Sequence, residues 1–158
     1  MPPRVAGSIS LLEAAPPEKA IGAALPAFGI AIRSEPSSVQ AVRRVTRAWV
    51  RSQCQVPDDN VDAILMVISE LCAKAVQHGR CPSIDVRGWM PAPDEVRFEV
   101  YDWSPAPVPQ LHHVDHEAES GRGLLLVDLL ITELGGSWGF SDDGTCAWCH
   151  LSLLREDR

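Results

Sequence analysis

The sequence predicts a two-layer α/β sandwich: a mixed, mostly antiparallel sheet covered on one face by helices. Ile84-Asp85-Val86-Arg87-Gly88-Trp89 and Val96-Arg97-Phe98-Glu99-Val100-Tyr101 alternate apolar and polar residues with the period of two that half-buried strands require. Pro91-Ala92-Pro93-Asp94 between them reads as a hairpin turn, which makes the two strands antiparallel neighbours. Val61, Ile64, Leu65, Ile68, Leu71, Cys72 and Ala75 recur instead at the spacing of one buried helical stripe.

The elements follow in order. Residues 1–26 are rich in Ala, Pro and Gly with weak periodicity and read as a poorly ordered N-terminal tail, which leaves 27–158 as the folded domain. Phe28, Ile30 and Ile32 alternate as a first strand. Glu35-Pro36-Ser37-Ser38 breaks it and offers a serine N-cap, after which Val39, Val42, Val45, Trp49 and Val50 mark an amphipathic helix to about Gln53. Pro57-Asp58-Asp59-Asn60 starts a second helix, with acidic residues where the helix dipole favours them, and Gly79 ends it. Beyond the hairpin, residues 103–120 hold three prolines and three histidines without a period, the pattern of a long loop of the kind that forms lids. A third helix is expected from Gly123 to about Leu134. Ser137-Trp138-Gly139-Phe140, a turn at Asp142-Asp143-Gly144 and a strand from Thr145 to Leu153 complete the chain.

A chain of 158 residues with 46% apolar and 22% charged residues is a single domain able to bury a core. Its net charge of -7 argues against nucleic acid or an anionic membrane as the main partner, because both call for clustered Lys and Arg. The one local basic run, Arg43, Arg44, Arg47 and Arg51, reads first as a solvated helix face. The N-terminus lacks the apolar core of a targeting signal, and nothing approaches the roughly 18 apolar residues of a membrane span. Five unevenly spaced cysteines suit a reducing compartment, so a cytoplasmic location is expected.

Chemistry concentrates in two stretches. Glu70, Lys74, Gln77 and His78 share one face of the second helix, bringing a carboxylate, an amine and an imidazole together. Glu70 is placed to act as a general base toward a hydroxyl that attacks a phosphoryl group, or simply to pair with Lys74 for about 0.2–0.5 kcal/mol. Gly121 and Gly123 are expected to precede the third helix, where backbone N–H groups and the positive dipole end face phosphate oxygens with Arg122 adding charge. Asp102, at a strand end, suits an exocyclic amine, or else caps a turn. Cys146-x-x-Cys149 and the histidines at 112, 113 and 116 with Asp115 suggest a thiol or zinc regulator. Against that, residues three apart on a strand point to opposite faces.

Together, Ser69-Glu70-Leu71-x-x-x-Ala75-x-x-His78-Gly79, the strand ending in Asp102, Gly121-Arg122-Gly123-Leu124 and Gly144-Thr145 resemble the motifs of the GHKL ATPase superfamily. Within it, they are most similar to the small anti-sigma-factor serine kinases of actinobacterial partner-switching systems. The resemblance covers roughly residues 27–153. It implies that Glu70 is the catalytic base, that Asp102 reads the adenine N6 amine, that Gly121, Arg122, Gly123 and Leu124 hold phosphate, and that Thr145 lies at the adenine end. It implies ATP or ADP as ligand, a sigma factor and a STAS-type anti-anti-sigma protein as partners, and a possible homodimer. Lys74 departs from the pattern, since the family carries Asn there as a ligand for Mg²⁺ and an ammonium has no lone pair to offer a metal. This leaves Mg²⁺ doubtful and two outcomes open: Lys74 neutralises phosphate charge in the cation's place, or pairs with Glu70 and disables the base. The first alternative is therefore a binding module that keeps the fold without the transfer.

Overall fold

The computed structural model describes residues 25–105 and 119–153. Strands β1 (Ala27–Arg33), β2 (Ser83–Ala92), β3 (Glu95–Tyr101), β4 (Ser137–Phe140) and β5 (Cys146–Ser152) form one sheet in the order β1-β2-β3-β5-β4. All four pairings are antiparallel. Helices α1 (Ser38–Gln53), α2 (Asp58–His78) and α3 (Glu119–Glu133) pack on one face, which gives the expected sandwich. No helix of the described residues is long and apolar enough to cross a membrane.

α2 is the spine of the core. Its predicted stripe is buried throughout, and Val67 joins it. It meets the inward side chains of the sheet, Ile84 and Val86 of β2, Val96, Phe98 and Val100 of β3, and Cys149 and Leu151 of β5. α1 contributes Val42, Trp49 and Val50. Phe28, Trp49 and Phe98 form an aromatic cluster with ring centroids 5.1 to 6.4 Å apart. Gly88 is what admits it. It pairs with Phe28 on one side and Phe98 on the other, and a Cβ there would stand 2.6 Å from one ring and 2.9 Å from the other.

Three local expectations are corrected. α3 begins at Glu119, so Gly121 and Gly123 lie inside its first turns and do not precede it. The leucine run beyond offsets the roughly 1 kcal/mol that each glycine costs a helix. Ser37 occupies the N-cap of α1 in a helical conformation and makes no side-chain cap bond. β2 runs on through Pro91 to Ala92, with the register shifting between Trp89 and Ala92, since Pro91 has no N–H to give the ladder. The lid expected at 103–120, with His112, His113, Asp115 and His116, falls mostly on residues outside those described.

The outer face of the sheet is not the solvated surface that alternation alone would suggest. Asp85 is fully buried, and Arg87 and Glu99 are nearly so. Arg87 Nε donates to Glu99 Oε1 at 3.0 Å, Arg97 donates twice to Glu99 Oε2 at 3.0 and 3.1 Å, and the Tyr101 hydroxyl donates to Glu99 Oε1 at 2.9 Å. Both guanidinium groups lie over aromatic faces, Arg87 on Trp89 and Tyr101, Arg97 on Trp148 at 4.6 Å. Every oxygen of the buried Glu99 carboxylate is thus matched by donors, the condition for keeping a charge out of water.

Candidate functional site

The C-terminal half of α2, the turn after β3, the start of α3 and the turn before β5 converge at one end of the sandwich. Two glycines make the approaches possible. A Cβ on Gly123 would stand 2.6 Å from Glu70 Oε2, so the bare backbone of α3 lies directly against the Glu70 carboxylate. A Cβ on Gly79 would stand 3.3 Å from Asp102 Cβ, which places Asp102 beside the end of α2. Along that helix the two contacts are about 13 Å apart, the reach of an extended nucleoside triphosphate.

Glu70 is half-buried and makes no ion pair with Lys74. The alternative in which Lys74 ties up the carboxylate is therefore not the arrangement seen. Burial holds the Lys74 ammonium below its ordinary range, and burial together with the Lys74 charge does the same to His78. Lys74 and His78 thus line the stretch between the Glu70 and Asp102 ends with an ammonium and a neutral imidazole. Its donors match phosphate oxygens. With Lys74 at its centre and Glu70 its single anionic oxygen group, the stretch does not fit a Mg²⁺ ion.

The Asp102 end is built around acceptors. Asp102 Oδ1 accepts from the Ser104 N–H at 2.9 Å, and Ser104 Oγ accepts from the Arg80 N–H at 2.7 Å. The Asp102 N–H donates to the Thr145 carbonyl at 3.1 Å, tying the turn to β5. Burial pushes the Asp102 carboxyl up, the Ser104 bond opposes this, and the neighbouring Asp143 charge adds to it. The Thr145 hydroxyl donates to Asp143 Oδ1 at 2.7 Å, and the same oxygen accepts from Ser141 Oγ and the Thr145 N–H. These bonds hold the Asp143 carboxyl below its usual range. With its proton committed to Asp143, the Thr145 hydroxyl is left to act as an acceptor. Asp102 and Thr145 together suit a donor such as an aromatic amine.

Glu70, Lys74, Asp102, Gly123 and Thr145 are thus brought to one end of the fold. Arg122 is exposed beside Gly123, and Leu124 turns into the protein. Gly121 lies in the first turn of α3. Gly79, Ser104 and Asp143 also shape the site, although none was singled out as a site residue from sequence. Gly79 was legible as a helix stop and as the last residue of the α2 motif, and Asp143 only as a turn residue. Of the arginine run, Arg44, Arg47 and Arg51 are exposed, whereas Arg43 turns inward and donates to the Leu65 carbonyl and to Ser69 Oγ, latching α1 to α2 one residue before Glu70.

The thiols are placed differently. All five cysteines are free and buried, and burial pushes Cys146 and Cys149 up to about 12. Among the described residues no group of three or more His, Cys, Asp or Glu side chains is placed to hold a metal ion.

The model of the histidine kinase-like ATPase domain family matches residues 32–150, which includes every strand and helix described here except the first residues of β1 and the last of β5. Comparison with curated proteins returned no match.

Proposed function

Since the chain belongs to the family of histidine kinase-like ATPase domains, we propose that it is the ATP-dependent switch of a partner-switching system. In this reading it is an anti-sigma factor that sequesters a sigma factor and transfers the γ-phosphate of ATP to a serine of a STAS-type antagonist. The observation that carries the kinase reading is Glu70, a carboxylate not bridged to Lys74 and lying in the gap that Gly123 leaves open.

The chemistry follows from the site. Asp102 Oδ2, with Oδ1 already engaged by Ser104, accepts a hydrogen bond from the adenine amine, and the phosphates run along α2 toward Glu70. Lys74 offsets their charge. Glu70 takes the proton of the serine hydroxyl as its oxygen bonds to the γ-phosphorus, and the bond from that phosphorus to the bridging oxygen breaks, leaving ADP with the electron pair. The phosphoserine adds a charge of about -1.5 to -2 to the antagonist's docking surface and releases it.

Lys74 favours a second reading, a nucleotide-responsive binding module without transfer, because this position offers no oxygen to a metal. Calorimetric titration with ATP and ADP, with and without Mg²⁺, followed by γ-phosphate transfer to serine-bearing antagonists, separates the two. The kinase reading expects transfer by the wild type and none by Glu70→Ala, with similar nucleotide affinity in both. Nucleotide binding with no wild-type transfer selects the second reading, and an absence of binding removes both.

A further inference from the structure

We propose that Trp103 and Asp85 are positioning residues that aim the Asp102 carboxylate at the base of the nucleotide. The inference rests on the reading of Asp102 as the acceptor for an adenine amine.

Alternation along β3 turns Val100 toward the helices and Tyr101 toward the outer face, and the next two residues continue it. Asp102 lies beside Gly79 on the helix side, whereas Trp103 stacks on Tyr101 with ring centroids 4.8 Å apart and an interplanar angle of 20°. The indole N–H of Trp103 donates to Asp85 Oδ2 at 2.7 Å, and Asp85 is 0% exposed. Tyr101 is itself fixed, since its hydroxyl donates to Glu99 and accepts from Arg87. Trp103 is therefore pinned by a stack and by a hydrogen bond to a buried carboxyl group.

Its backbone shows that this pinning is needed. Trp103 has φ 61°, and among the described residues it alone adopts the left-handed region without being glycine. That conformation is unfavourable for a residue with a Cβ and persists where side-chain contacts over-determine it. It also reverses the chain so that the Ser104 N–H reaches back to Asp102 Oδ1, which fixes one carboxylate oxygen and leaves Oδ2 for a ligand. The outer face of the sheet thereby sets the direction of a side chain on the opposite side. Loss of the anchor lets the turn relax toward ordinary φ values, and the Ser104 bond and the aim of Oδ2 go with it.

The test compares ATP with inosine triphosphate, which carries a carbonyl where adenine carries its amine. Wild type is expected to favour ATP by about tenfold or more, the usual value of a hydrogen bond to a charged acceptor. Trp103→Phe keeps the stack and deletes the indole N–H, and Asp85→Ala deletes the same bond from the other side. Each is expected to bring the ratio to within about threefold of unity, with Asp85→Asn restoring most of it relative to Asp85→Ala. A general loss of stability would weaken both nucleotides alike and leave the ratio unchanged. A wild-type ratio near unity overturns the reading of Asp102, whereas a wild-type preference that persists in folded variants overturns the positioning role alone. Wild type supplies a further check that needs no variant: hydrogen exchange at the Trp103 indole should slow with saturating ATP and not with inosine triphosphate, because coupling between the two groups is reciprocal. Equal exchange with both ligands overturns the proposal.

Discussion

Adding a single methyl group at Gly123 probes the Glu70 end of the site with the least disturbance elsewhere. The new Cβ would stand 2.6 Å from Glu70 Oε2, about 1 Å inside ordinary van der Waals contact. The carboxylate is the end of a flexible side chain, so it swings aside and the helices stay in place. Forcing such a torsion off its preferred value costs about 0.5–1.5 kcal/mol, while Ala in place of Gly within α3 gains about 0.8–1.0 kcal/mol. The two terms nearly cancel, so Gly123→Ala is predicted to melt within about 2 °C of wild type. Transfer should not survive as well, since a base displaced by about 1 Å loses up to about 100-fold in rate. Single-turnover transfer of the γ-phosphate, measured beside ATP titration and thermal melting, reads all three quantities. A folded, ATP-binding variant that transfers at the wild-type rate would refute the role of Glu70 as base. A loss of more than about 2 kcal/mol would refute the packing account, because it would mean the methyl group meets something rigid.

The remaining predictions concern the other end of the site and the core. Asp102→Asn keeps an oxygen for Ser104 but turns an amine toward the ligand, so preference should pass from ATP to inosine triphosphate in competition binding. The same variant carries a pH signature: a carboxyl raised in the folded state makes the fold less stable as pH climbs from the ordinary carboxyl value through the raised one. Asp102→Asn should therefore melt at or above wild type at pH 7, with the difference vanishing below about pH 4. Lys74→Asn supplies the missing amide oxygen and is expected to raise Mg²⁺-dependent transfer, read as rate against Mg²⁺ concentration. In its NMR titration His78 should move upward as the Lys74 charge disappears, yet stay below the usual imidazole range because the burial remains. Gly88→Ala drives a methyl group into Phe28 and Phe98 and should cost about 1–3 kcal/mol in chemical denaturation; a neutral effect would show that the aromatic cluster is loosely packed.

Much of this architecture was legible because it rests on periodicity. The buried stripe of α2 and the pairing of β2 with β3 follow from spacing alone, and the location of Glu70, Lys74 and His78 follows from the stripe opposite. The start of α3 was not legible, because glycine reads as a helix breaker and the four residues before Gly123 carry no apolar period to contradict it. The network on the outer face was missed for a related reason. Arg87, Arg97 and Glu99 occupy the alternate positions where charged residues normally meet water, and only cross-strand pairing reveals that they answer one another. Trp103 gave no warning of its left-handed backbone, since that conformation is imposed by Asp85, which lies 18 residues earlier in the chain.

The burial of every cysteine has a practical consequence. Desolvation pushes Cys54 up to about 11 and Cys72, Cys146 and Cys149 up to about 12, so at neutral pH these sulfurs remain protonated and shielded from electrophiles. Alkylating reagents therefore report on opening of the fold, and the five sulfurs sample it from the end of α1 through α2 to β5. Cys81, within 3.6 Å of Ser104 Oγ, is a sentinel beside the Asp102 turn. The rate at which an alkylating reagent captures it, with and without a ligand, measures how firmly that ligand closes its own surroundings.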